Sequence, residues 1–455
     1  MGLRRTSTGT SRGVVLWVVA VCAFVSSAWG QPWLGSGTAA DPYQIWYAND
    51  MQAIGGQPDY WEAHFRLMAD IDLSGYDGLE GRPAFNIIGQ NESGFGGVFD
   101  GNGHTIWNFT YTKTNGGANV GLFAKAHEAR IENLGLVQPD LAVDFGDEGW
   151  YIGAMVGLAE FCIISNCYVE GGIVQGLGGQ VIGGFLGYND GVVSKCYSTS
   201  DVSGTVYVGG FVGGTGFSSV INNCYSQGAV DGYDAVGGLA GFNMAEISNC
   251  YSAGQVAGNN NIGGLIGYNG NGSYAKCFWD SDINPDVNGI GNTSDVNVMG
   301  KSTVNMQTEG TFTAAGWDFV GETTNGTGDI WKICEGTNYP KLAWQASLLA
   351  DFACPDGVDM GDLAVFCGQW LFEELSADVW PAGGDGFVNF LDWAIIAHDW
   401  QATRDYHDVA EFTKQWLKTG ANYCIGDIAP DGGDGVVNMV DFAVLAEIFG
   451  WEVRK

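Results

Sequence analysis

Four stretches of the chain overlay one another with almost no adjustment: IGGFLGYN from 182, VGGFVGGT from 208, VGGLAGFN from 236 and IGGLIGYN from 262. Their starts are 26, 28 and 26 residues apart, and each is followed by a second signature: VVSKCYSTSDV, VINNCYSQGAV, EISNCYSAGQV or SYAKCFWDSDI. Divergent copies precede them, IGAMVGLAEFCIISNCYVEGGIV from 152 and VGLFAKAHEARIENLGLVQPDL from 120. A period of this size restricts the fold severely. A unit of about 27 residues cannot bury its own apolar face, so it must stack on its neighbours as an array.

The unit reads as β. Each signature is a short run with alternating apolar positions and β-branched or aromatic enrichment. Asn189-Asp190-Gly191 and Gly258-Asn259-Asn260 interrupt the runs with residues that tolerate positive φ. No copy has room for a crossover helix. A coil of short strands and turns predicts one rung of a parallel β-helix, with rungs about 4.8 Å apart. FRLMADIDLSG (65–75) and FGGVFDGNGHTIWNFTY (95–111) read as opening strands, so about eight rungs are expected over 65–283. Residues 31–64, rich in Trp and Tyr, are expected to cap the start, because solenoids need covered ends. Cys167, Cys196, Cys224, Cys250 and Cys277 hold one repeat position. Stacking predicts a buried column of free thiols, since a line of sulfurs cannot surround a metal tetrahedrally.

Residues 1–30 have the pattern of an export signal: Arg4, Arg5 and Arg12, then an apolar run from Val14 to Val25, then Ala28-Trp29-Gly30. Removing those arginines takes the formal net charge from −33 to −36. So acidic a chain repels nucleic acid and anionic membranes and favours cations. No later stretch is apolar enough to predict membrane insertion.

The unit GGLxGxN…ISNCYSxGxV resembles the GLUG motif of secreted bacterial proteins. The opening PYQIW…FRLMADIDL…GGVFDGNGHTI…VGLFA and the closing segment from CFWDSD to YPKLAW (277–344) are similar to the flanks of that group. The resemblance covers about 42–344 and implies a pectin-lyase-like, right-handed parallel β-helix, with 284–346 closing it. It implies little about activity.

After Trp344 come three acidic loops, DFACPDGVDMGDL (351–363), DVWPAGGDGFVNFLDW (378–393) and DIAPDGGDGVVNMVDF (427–442), each followed by an apolar run of helical period. Calcium takes about six to eight oxygens, which a loop supplies when side-chain oxygens recur around a sharp glycine turn. Asp385, Asn389 and Asp392 meet that condition around Gly386, and Asp434, Asn438 and Asp441 around Gly435. The same residues also suit helix N-caps.

Residues 347–455 resemble type I dockerin modules, which pair calcium loops with helices and bind cohesin partners. The six residues just named match ligand positions five, nine and twelve of that motif. Asp378 and Asp427 stand for the first ligand, although three extra residues separate them from the rest. Position three has no carboxylate or amide, and positions ten and eleven are apolar (Phe390-Leu391, Met439-Val440). The first loop keeps Asp351, Asp359 and Asp362 in register but places Pro355 at a ligand position.

No catalytic constellation is evident. There is no H-E-x-x-H, G-x-S-x-G or C-x-x-C. FDGNGHTI offers Asp100 and His104, but the sequence shows no second acid at strand spacing and no register with Arg82 or Arg130. Residues 182–270 hold four Asp, one Glu and one Lys, with no Arg or His. The rung tyrosines could form a sugar-stacking face or a packed ladder. The sequence thus predicts a mainly β, secreted, non-catalytic protein for adhesion or glycan and surface binding. It would be tethered through a calcium module to a cohesin-like protein or cell-surface component. A polysaccharide lyase or O-glycosyl hydrolase, and a structural cell-surface component, remain alternatives.

Overall fold

The alternation within each copy becomes short strands, and each strand pairs in parallel with its counterpart in the next copy. The computed structural model describes residues 33–113, 119–144, 151–178, 181–294 and 297–345. Among these, the strands make three parallel sheets of eighteen, nine and six strands, and one antiparallel pair. The register follows the repeat. Phe65, Phe99, Ile131, Ile164, Val193, Ile221, Ile247 and Tyr274 succeed one another across the longest sheet. All but Tyr274 are buried. The architecture is mainly β with long parallel sheets around one continuous core, consistent with a β-helix. The stretch expected to cap the start adds a strand of its own: Tyr43–Ile45 pairs in parallel with His64–Leu67. Trp33, Tyr43, Tyr60 and Phe65 pack over that end. Residues 1–30, which read as an export signal in the sequence, and the acidic loops lie outside the described residues.

Each letter of the repeat has a steric or polar task. The glycines allow two backbones of adjacent coils to touch: a Cβ at Gly183 would lie 2.6 Å from Gly213 N, and one at Gly209 2.7 Å from Gly241 N. The following large residue fills the interior, as Phe185 and Phe211 do by stacking at 4.9 Å. The closing Asn or Thr turns inward. Thr215 Oγ1 donates to Asn243 Oδ1 at 3.0 Å, and Asn243 Nδ2 donates to Asn269 Oδ1 at 3.1 Å. This ladder satisfies buried polar groups at a place where a coil bends.

In the second signature, the residue before the cysteine adopts positive φ (Asn166 53°, Lys195 54°, Asn223 52°, Asn249 50°, Lys276 55°), the conformation Asn tolerates best. That turn sends the cysteine inward. Cys167, Cys196, Cys224, Cys250 and Cys277 are all free and fully buried. Burial pushes the thiols of Cys167, Cys224 and Cys277 well up from their ordinary value. Hydrogen bonds from Cys167 and Cys224 pull Cys196 the other way. Burial opposes the thiolate at Cys167, Cys224 and Cys277, so the thiol form prevails there.

The next residue points outward, and stacking aligns it too. Tyr168, Tyr197, Tyr225 and Tyr251 stand 5.0, 4.8 and 4.9 Å apart with nearly parallel rings. They are not a surface. After the strand Val298–Lys301, the chain turns back along the coils and covers them. Met306, Phe312, Trp317, Phe319, Trp331 and Leu342 form one cluster with Tyr197, Tyr225, Tyr251 and Phe278. Three tryptophan Nε1 groups pin this strap to the turn before the cysteine: Trp317 to Lys276 O (3.0 Å), Trp331 to Asn223 Oδ1 (3.2 Å) and Trp344 to Lys195 O (3.0 Å). Asp280 anchors its start. The carboxylate is fully buried and accepts from Thr303 Oγ1 and Tyr339 OH, both at 2.8 Å, and from two backbone N–H groups.

Three outcomes follow from this packing. Burial also raises the phenols of Tyr168, Tyr197, Tyr225 and Tyr251. With folded values above unfolded ones, the stabilisation is complete below the ordinary thiol and phenol values and is lost as pH rises past them. The melting temperature should therefore hold to about pH 9 and fall steadily above it, as stability drops by up to about 1.4 kcal/mol per pH unit for each such group. Iodoacetamide should leave the five thiols intact in the native protein, and rapid alkylation would show that the column faces out. Separately, Trp331→Ala should lower stability by about 3–5 kcal/mol, read as a lower urea midpoint, because it empties the centre of the strap interface.

Candidate binding face

Covering the tyrosine column leaves other aromatics exposed. On the outer side of the longest sheet, each of five consecutive coils presents one ring: Tyr151, Tyr188, Tyr207, Phe242 and Tyr268. Outward placement follows from strand alternation, since Tyr188, Asp190 and Val192 alternate with buried Asn189 and Gly191. Tyr151 and Tyr188 lie 4.9 Å apart, Tyr207 and Phe242 5.2 Å, and Phe242 and Tyr268 6.0 Å. The rings are partly open, with Tyr207 at 37% and Tyr268 at 39% exposure. Gly214 separates the two groups, taking the position between Tyr188 and Phe242 in register. The result is a strip along the stacking direction with a polar handle on four of its five rings. Such a strip can stack on flat apolar faces and offer hydrogen bonds at their edges.

Charges border the strip. Asp190 lies two residues beyond Tyr188, Glu246 lies four beyond Phe242 on the same outward side, and Asp234 lies on the other flank, held by Asn261 Nδ2 at 2.8 Å. Among the described residues, none of the three has an ionic partner.

The earliest coils differ, and here the structure corrects the sequence reading of Asp100. Asp100 is in direct register with a second acid, Glu132. Arg66 pairs with Asp100 at 2.8 Å and Arg130 with Glu132 at 2.7 Å, whereas Arg82 pairs with Asp77. A sequence signal exists: superposing HFR, VFD and RIE as equivalent rungs aligns Arg66, Asp100 and Glu132. His104 approaches Asp70 rather than Asp100, at 3.2 Å. One coil on, Glu160 is held by Lys125 at 2.9 Å and His127 at 3.2 Å. Burial opposes its ionisation, but these partners outweigh it and hold the carboxyl below its ordinary value. Every acid of this patch is matched by a cation, as a cross-strand ladder requires.

The third sheet carries a shallow groove of about 270 Å³ lined by Ile173, Val230, Gln255 and the two carboxylates Asp201 and Asp231. Asp201 accepts from Ala229 N at 2.9 Å, so it also closes a turn. Among the described residues, no group of three or more His, Cys, Asp or Glu side chains could hold a metal ion. Asp351, Asp359, Asp362, Asp378, Asp385, Asn389, Asp392, Asp427, Asp434, Asn438 and Asp441 lie outside the described residues. No helix among the described residues is long and apolar enough to cross a membrane.

Comparison with known proteins agrees with the repeat. Residues 232–257 match the family model of the GLUG motif. Halomucin of Haloquadratum walsbyi is 30% identical over 192 residues, 41% of this chain and 2% of that protein. A protein of Evansella cellulosilytica named "Putative Gly-rich membrane protein" is 33% identical over 138 residues, 30% of this chain and 15% of that protein. The matches thus span only a small part of these relatives' length. Among solved structures, a "putative immunoglobulin A1 protease from Bacteroides ovatus" superposes with a TM-score of 0.48 at 23% identity, over 69% of this chain and 95% of that one. An "IgA1 Protease" superposes with a TM-score of 0.33 at 14% identity, over 52% of this chain and 19% of that one. This chain therefore carries a GLUG motif within a stack of parallel sheets.

Proposed function

We propose that the protein is a secreted, non-catalytic β-helix protein of the cell surface that binds glycans through the aromatic strip of its longest sheet. The observation that carries this reading is the strip itself: one partly exposed ring per coil over five coils, while the other aromatic column is sealed under the strap. The names of the two relatives, a halomucin and a Gly-rich membrane protein, support a surface or extracellular setting. Cys334 is disulfide-bonded, which suits an oxidising compartment, as does the export pattern at the N-terminus. Asp100, Glu132 and Glu160 are each held by a cation, which favours binding over hydrolysis.

Binding to a panel of insoluble polysaccharides tests the reading. Tyr188→Ala, Phe242→Ala and Tyr268→Ala should each weaken binding by at least about tenfold, or 1.4 kcal/mol, with unchanged melting temperature. Release of reducing sugar or of unsaturated product by the unaltered protein would overturn the non-catalytic reading.

The C-terminal segment serves in this proposal as a calcium-dependent tether to a cohesin-like protein or surface component. Its ligands would be Asp385, Asn389, Asp392, Asp434, Asn438 and Asp441, with Asp378, Asp427, Asp351, Asp359 and Asp362 as further contributors. Millimolar calcium should increase far-UV helix signal in the full chain, and Asp385→Ala with Asp434→Ala should abolish the increase. No change on adding calcium or chelator would remove the metal from the proposal.

A further inference from the structure

The charge around the strip narrows its ligand beyond a glycan in general. Over residues 151–294 the only cationic side chains are Lys195 and Lys276. Both occupy the turn before the cysteine, on the strap side, where Lys276 Nζ donates to Gly316 O at 3.3 Å and Trp344 Nε1 donates to Lys195 O at 3.0 Å. The five aromatic coils therefore hold no cation to neutralise a uronate or a sulfate, and Lys125 and His127 on the bordering coil are already held by Glu160. They offer instead Asp190, Asp234 and Glu246, three carboxylates without an ionic partner among the described residues, spread along the same strip.

We propose that the aromatic strip binds a polysaccharide bearing free amino groups, aligned with the stacking axis. Rings attract the apolar faces of sugars and attract an ammonium group through their π faces. Carboxylates a few residues away can then pair with the same ammonium groups. One exposed pair contributes little, but a polymer presents its amines in series, so weak contacts on successive coils act together. The formal net charge of −33 steers a polycation inward and a polyanion away. This inference rests on the strip being the glycan-binding surface, and it adds the charge class of the ligand.

The test uses the full chain at mildly acidic pH, where sugar amines carry protons. Three glucosamine-type or uronate polymers serve as probes: a deacetylated one, its fully N-acetylated counterpart and a polyuronate. The deacetylated polymer should bind at least about tenfold more tightly than the N-acetylated one and lose most of that margin when ionic strength rises to about 0.5 M. The polyuronate should not bind. Replacing Asp190→Asn, Asp234→Asn and Glu246→Gln together should bring the deacetylated polymer down to the N-acetylated level and leave the latter unchanged. Equal affinity for both polymers, or a preference that survives the triple replacement, would overturn this inference while leaving glycan binding intact. Failure of every glycan to bind would remove both proposals. Tight binding of the polyuronate would contradict the charge argument directly.

Discussion

Successive coils stack in parallel and in register, so each side chain meets its counterpart from the next repeat at about 4.8 Å. This one constraint decides which residues the chain can use. Like on like is harmless or favourable for thiols, rings and amides, which stack or exchange hydrogen bonds. It is unfavourable for like charges directly opposite one another. Hence the regular copies carry Cys on Cys, Tyr on Tyr and Asn beside Thr or Asn, and they are almost free of charge between 182 and 270. Where acids do align, cations stand beside them: Asp100 and Glu132 are directly opposed with Arg66 and Arg130 compensating, and Glu160, opposite Asp190, is held by Lys125 and His127. The glycines serve the same constraint, because backbones this close leave no space for a Cβ.

The repeat and its β character were legible because period and alternation are local in sequence. The inward cysteine column was legible for the same reason: equal spacing in a stacked array means vertical alignment, and a small thiol suits a crowded interior. The fate of the tyrosines was not. Tyr225 and Tyr251 have the composition of an exposed aromatic ladder, and only a segment about ninety or more residues downstream, reaching back to Tyr251 OH from Pro340 O and to Tyr225 OH from Gln345, buries them. Spacing within a rung says nothing about such a return. The Asp100–Glu132 register was missed for a different reason. The first coils lack the CY marker and the regular period, so only the short triplets HFR, VFD and RIE show which residues are equivalent.

The strap also accounts for a feature the repeat alone leaves open. A solenoid whose rungs contact only their neighbours can open one rung at a time. Tryptophans docked on Lys276, Asn223 and Lys195 span four successive coils and so tie together the first and last, which do not touch, and Asp280 fixes the start of the segment that carries them. The column of tyrosines is the surface that makes this possible, since stacked rings form a flat apolar strip for the strap to cover. The outward residue of the CY pair therefore contributes to cohesion along the axis.

Two aromatic columns on one solenoid thus have opposite roles, and their neighbours explain why. The tyrosine column is continuous, with rings nearly parallel at close to the rung spacing, and it is closed by apolar groups with every buried indole N–H at the turns satisfied. The strip on the longest sheet is broken at Gly214, its rings tilt toward one another, and unpaired carboxylates flank it. Among the described residues none seals that strip, and a cover that brought no cation would bury Asp190 and Glu246 unpartnered, which is costly. Under the proposed reading, these carboxylates favour a covering group that brings its own positive charge.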